Sequence, residues 1–203
     1  PIRDDFEQGN PKPEELNDFE LGWRFTSEKS TFLANVYYMD YTNQLVLTGA
    51  INDVGAPLRE NVGKSSRLGI ELDGNFALGN HWSWQPNITL SRNRNHDYYF
   101  ERDGKLTDLG NTHLSFSPAV VAGNIITYQP KSNWKLALLT KHVGEQYMGN
   151  IDSYNSKLSA YTISDLNIAY QFVQMGLFKS IDICRIQLGR KRPHKKISCF
   201  LLL

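Results

Sequence analysis

The chain has 203 residues and a formal net charge of +1, which argues against the basic footprint of a nucleic-acid binder. Its 40% apolar and 21% charged content suits a folded protein, and 12% aromatic residues lean toward β-structure. No run approaches the ~20 apolar residues a membrane helix needs, so any membrane span must be made of strands, whose alternation averages out polar.

Taken in order, the chain repeats one pattern. In residues 19–25, Phe19, Leu21, Trp23 and Phe25 alternate with Asp18, Glu20, Gly22 and Arg24. Phe32, Ala34, Val36 and Tyr38 form a second apolar set, with Asn35 on the other side. In the stretch ENVGKSSRLGIELDGNFAL, Leu68, Ile70, Leu72, Phe76 and Leu78 alternate with Arg67, Gly69, Glu71, Asp73, Asn75 and Ala77. Trp82, Trp84, Ile88 and Leu90 then alternate with Ser83, Gln85, Asn87, Thr89 and Ser91. Residues 120–128 and 134–143 are β-rich with a less regular pattern. Leu166, Ile168, Tyr170 and Phe172 close the series against Asp165, Asn167, Ala169 and Gln171. Period two predicts strands with one apolar and one polar face. The fold class is therefore all-β.

The connections predict how the strands are arranged. Residues 26–31, 79–81, 130–133 and 173–176 make short turns, whereas 48–61, 93–115 and 149–156 make longer, polar connections. Short and long alternate, so an antiparallel up-and-down meander places all short turns at one end. Outer-membrane barrels are built this way. Trp23, Phe25, Phe32, Phe76, Trp82, Trp84, Tyr128, Trp134 and Phe172 lie on apolar faces, close to short turns. Together they predict an aromatic girdle at one membrane interface. A soluble sandwich would use them as core, but its strands run nearer five or six residues. Strands of ~10 or more suit a tilted membrane crossing. On that reading Arg67, Glu71 and Asp73 face the lumen, as a polar lining or in contact with substrate.

Several stretches resemble the C-terminal third of TonB-dependent outer-membrane receptors. They are KPEELNDFELGWRF, with Lys12, Pro13, Glu14, Asn17, Glu20 and Gly22; the aromatic Tyr38-to-Tyr41 strand; and Asn61, Gly63, Gly69 and Glu71. Phe116–Pro118 and YTISDLNIAYQF at residues 161–172 fit later strands of the family. The resemblance covers residues 10–183 and rests on the order and spacing of five motifs. It implies a barrel of about 22 strands plugged by an N-terminal domain, in the outer membrane of a Gram-negative bacterium. This chain then supplies a partial transmembrane β-barrel of about eight strands, residues 1–183, which would neither close nor transport alone.

The implied function is TonB-coupled import of a scarce nutrient, with a ferric siderophore or other iron chelate first and cobalamin or a carbohydrate as alternatives. The implied partners are outer-membrane lipid, the bulky ligand, and the TonB complex through an N-terminal region not visible here. A barrel without energy coupling, such as a porin or adhesin, remains the rival, and a soluble sandwich or enzyme domain is a third reading. Residues 184–203 depart from the family pattern. Alternation collapses, GRKRPHKK is basic, and Cys184 and Cys199 are the only cysteines. This tail is expected to be non-native or disordered, against rival readings as a nucleic-acid or anionic-lipid patch.

No catalytic motif is found. Gly63-Lys64-Ser65 echoes a phosphate-binding loop, but the earlier glycine falls at Leu58 and no helix follows. The polar run 93–103 is expected to be an external loop, with His96, Tyr98, Tyr99 and Phe100 as ligand-contact candidates. His96, Asp97, Glu101 and Asp103 could instead ligate a cation; no metal or cofactor is assigned.

Overall fold

The computed structural model describes residues 12–51, 53–102, 105–170, 180–188 and 197–202. In chain order the strands are β1 (Glu15–Thr26), β2 (Ser30–Ile51), β3 (Pro57–Leu78), β4 (Trp82–His96), β5 (Tyr99–Arg102), β6 (Lys105–Asp108) and β7 (Thr112–His113). They continue as β8 (Val120–Lys131), β9 (Trp134–Val143), β10 (Gln146–Tyr147), β11 (Lys157–Leu158), β12 (Tyr161–Tyr170), β13 (Ser180–Leu188) and β14 (Ile197–Leu202). Among the described residues the only helical element is a 3₁₀ turn, Tyr154–Ser156.

The meander expected from the alternating connections is present. One antiparallel sheet runs β1-β2-β3-β4-β8-β9-β12-β13, the expected eight strands, and β14 adds a ninth. The sheet stays open, with β1 at one edge. Turns at residues 27–29, 79–81 and 132–133 lie at one end, and the β5–β6 and β10–β11 hairpins belong to connections at the other. At Gly79 the tight turn needs a positive φ of 79°, which glycine adopts without strain.

Two expected loops are shorter than the sequence suggests. Residues 48–61 read as a long polar connection, yet β2 and β3 are each 22 residues long and pair from Ser30↔Phe76 to Ile51↔Pro57. At about 3.3 Å per residue such strands reach far past a hydrophobic band about 25 Å tall. If the strands cross such a band, no face beyond it is required to be apolar, which would account for pairing that persists while the alternation fades. Likewise, within 93–115 β4 continues to His96, β5 and β6 form a hairpin, and β7 pairs with β4 through Arg94↔His113.

The tail is strand at both described ends. Residues 180–188 pair with β12 across a register shift at Ile168/Ala169, and β14 pairs with β13. The basic run at 189–196 lies outside the described residues, as does the 173–176 turn.

Candidate functional site

The register fixes which side chains share a face. Trp23, Ala34, Leu72, Ile88 and Ala122 form one cross-strand row, and Leu21, Val36, Ile70, Leu90 and Val120 form the next. This side of the sheet is apolar yet uncovered: Leu21 is 78% exposed, Phe19 65% and Trp23 59%. A contiguous apolar surface of this extent needs a non-aqueous neighbour. A groove of about 690 Å³, lined by Phe32, Leu72, Gly74, Phe76, Trp84 and Ile88, lies on the same side and is part of that surface.

Near the short turns this face is aromatic, and the rings touch. Trp23 meets Phe25 at 6.4 Å and Phe32 at 5.9 Å, Phe76 stacks on Trp84 at 5.5 Å, and Trp82 stacks on Tyr128 at 4.4 Å. Trp134 packs at 4.8 Å against Tyr170, an aromatic that the sequence reading did not include in its expected girdle. Phe172, chosen there instead, lies outside the described residues.

The opposite face is polar. Arg67, Glu71 and Asp73 sit on it, with Asn35 and Thr89 flanking Glu71 across the ladders. The Arg67 guanidinium lies 5.9 Å from the centre of the Tyr41 ring, and its Nη1 donates to Ser117 Oγ at 3.3 Å. Asn87, Lys141 and Asp165 line a cleft of about 390 Å³ on this side, together with the aliphatic Val121, Ile125, Leu139 and Ile163. Toward the long-loop end the polar face becomes buried. Ser65, Asn95 and Thr112 are opposite one another across β3, β4 and β7, and Asn95 Nδ2 donates to Thr112 Oγ1 at 3.1 Å.

The four ligand-contact candidates are not equivalent. His96 ends β4 with a ring nitrogen 2.7 Å from Ser66 Oγ. Asp97 then takes a φ of 50°, and the turn carries Tyr98 into a small core with Val46, Val62 and Leu114. Tyr98 is only 6% exposed, and Phe100 packs against the same core. Tyr99 points outward at 53% exposure, leaving it as the aromatic of the three open to a ligand. Among the described residues no three His, Cys, Asp or Glu side chains converge as a metal site; Asp103 lies outside them.

One polar cluster of the loops was not singled out in the sequence. His113 Nδ1 is 2.8 Å from Asp152 Oδ2, its ring stacks on Tyr147 at 5.1 Å, and the buried Asn150 accepts from the Ser115 N–H at 2.9 Å. Nearby, the Lys157 ammonium is 2.8 Å from Glu145, and that hydrogen bond raises the lysine's pKa. Nothing local marks these residues: His113 and Asp152 are 39 positions apart and meet only through the fold.

A two-faced antiparallel wall of this kind has known counterparts. The family described as TonB dependent receptor-like, beta-barrel, matches residues 2–189. The chain belongs to this family. Among solved structures it is similar to the siderophore receptor PiuA from Acinetobacter baumannii, with a TM-score of 0.61 and 20% identity over 86% of this chain and 24% of that one. The ferric yersiniabactin uptake receptor FyuA from Yersinia pestis gives 0.59 and 19%, over 86% of this chain and 24% of its own. The copper transporter OprC gives 0.58 and 17%, over 87% and 24%. These identities speak for the fold. The chain spans about a quarter of the length of these proteins. No curated protein matches by sequence.

Proposed function

We propose that the chain is part of the barrel wall of an outer-membrane receptor that imports a scarce nutrient with energy supplied through TonB. The observation that carries this is the wall itself, in a chain that belongs to the receptor family. Its apolar, girdled face is uncovered, its other face is polar, and its long connections gather at one end. On this reading outer-membrane lipid covers the first face, while Arg67, Glu71 and Asp73 line a wet interior. Lys or Arg turned toward lipid would cost roughly 2–4 kcal/mol near the midplane, which supports the assignment of faces. On this reading TonB coupling runs through the N-terminal region of the full-length receptor.

A ferric siderophore or other iron chelate is the leading cargo, because PiuA and FyuA are named for such ligands. OprC, named as a copper transporter, is built on the same wall, so the fold by itself does not choose the metal. Tyr99, with the loops joined at His113 and Asp152, supplies the surface that a ligand meets first.

The test is uptake. Cells deleted for the full-length gene should lose transport of one class of radio-iron chelate under iron limitation, and the intact gene should restore it. Unchanged uptake of every ferric chelate would remove the iron assignment. Uptake that persists in cells lacking TonB would instead favour an uncoupled barrel.

A further inference from the structure

The loop between β4 and β8 and the loop between β9 and β12 are tied together by more than surface contact. Three backbone N–H groups of the first, on His113, Ser115 and Phe116, donate to acceptors in the second. Those acceptors are Asp152 Oδ1 at 2.9 Å, Asn150 Oδ1 at 2.9 Å and the Tyr147 carbonyl at 2.8 Å. Asp152 thus grips His113 twice, since its Oδ2 also lies 2.8 Å from the ring Nδ1. A single imidazole nitrogen cannot donate and accept at once. With the closer carboxylate taking the Nδ1 proton, Arg94 Nη1 at 3.0 Å acts as a neighbouring positive charge.

Backbone strain is concentrated at the same place. Phe116 has a φ of 50° and Asp152 a φ of 43°, in a region that residues with a Cβ adopt at a cost. Each half of the clasp is also anchored. On the first loop, His113 is paired to Arg94 of β4, and Asn95 Nδ2 reaches the His113 carbonyl at 3.3 Å. The second loop holds its own shape through the Met148 N–H to the Ser156 carbonyl at 2.8 Å and the Ser156 N–H to the Ser153 carbonyl at 3.0 Å.

We propose that these two loops move as one external unit, clasped by Asp152 and His113, so that a ligand engaging either loop acts on both. The consequence for capture rests on the receptor reading above; the coupling does not. If the loops opened independently, each would show its own protection against exchange. Removing the carboxylate takes the acceptor from the His113 N–H and the partner from its ring Nδ1 at once, and charge-assisted bonds are the stronger kind.

Amide hydrogen exchange on the full-length receptor tests this without any ligand. Asp152→Ala should speed exchange by about tenfold at His113, Ser115 and Phe116, and also at Met148 and Ser156. Asp152→Asn keeps an oxygen for the His113 N–H and should give a smaller rise at the same five amides; it also serves if the alanine variant fails to fold. Faster exchange confined to one loop, in either variant, overturns the proposal. Joint loosening in a receptor that captures no iron chelate would support the coupling while removing the iron assignment.

Discussion

Gly69 faces Tyr37 across the β2–β3 ladder, and a Cβ placed there would overlap the tyrosine ring. The tyrosine lies over its glycine partner and its hydroxyl is hydrogen-bonded to Ser91, so one side chain spans three strands. Aromatic cover of a cross-strand glycine is one of the ways a sheet pins its register. Gly69→Ala should therefore cost about 1–3 kcal/mol, as overpacking does. Urea unfolding of the full-length receptor in vesicles measures it, and adding Tyr37→Ser should recover most of the loss. Strictly additive losses in the double variant would mean that the ring is not the obstacle. In the sequence Gly69 was legible only as part of a family pattern; nothing local says that a side chain from another strand covers it. Tyr98 fails in the opposite direction. The run Tyr98-Tyr99-Phe100 has no periodicity to say which ring turns inward, and the positive φ of Asp97 decides it.

At the scale of elements, the alternating cores of the strands were readable and the paired stretches beyond them were not. Strand cores from β1 to β4 followed the alternation; on the proposed reading a misplaced charge there would meet hydrocarbon. Where β2 and β3 run on beyond the band, and where β5, β6 and β7 form, pairing is carried by backbone groups that leave no pattern in the sequence. The clasp between the loops belongs to this second class. Neighbouring residues of β3 give a direct test of the face assignment. Leu72 lies between Ala34 and Ile88 on the apolar side, and Glu71 lies between Asn35 and Thr89 on the polar side. Leu72→Arg should destabilise the full-length receptor by roughly 2–4 kcal/mol, whereas Glu71→Arg should stay within about 0.5 kcal/mol. Equal losses in the same vesicle unfolding assay would mean that the two faces meet the same solvent.

Across the whole sheet, the aromatic girdle does not follow a row of paired residues. From Phe25 the row runs to Phe32 and Gly74, and the β3–β4 register carries it on to Pro86. It continues through Asn124 and Thr140 to Ser164 on β12. The aromatic pair of β9 and β12, Trp134 and Tyr170, lies six positions nearer the short turns than Thr140 and Ser164. Five strand-to-strand steps separate β1 from β9 and six separate β1 from β12, so the aromatic band slips about one residue per strand. With about 3.3 Å per residue and about 4.8 Å between strands, a level girdle requires strands leaning roughly 35° from the barrel axis. That is the lean of membrane barrels, and a soluble sandwich gives no reason for its aromatics to keep one height. Spin labels in the full-length receptor, with Cys184 and Cys199 replaced by serine, can read these heights. Labels at Phe25→Cys and Trp134→Cys should share one bilayer depth, while Thr140→Cys, on the paired row of Phe25, should lie roughly 16 Å further toward the loop end. A common depth at positions 25 and 140 would mean upright strands and no girdle. Equal access to water at all three would remove the membrane wall itself.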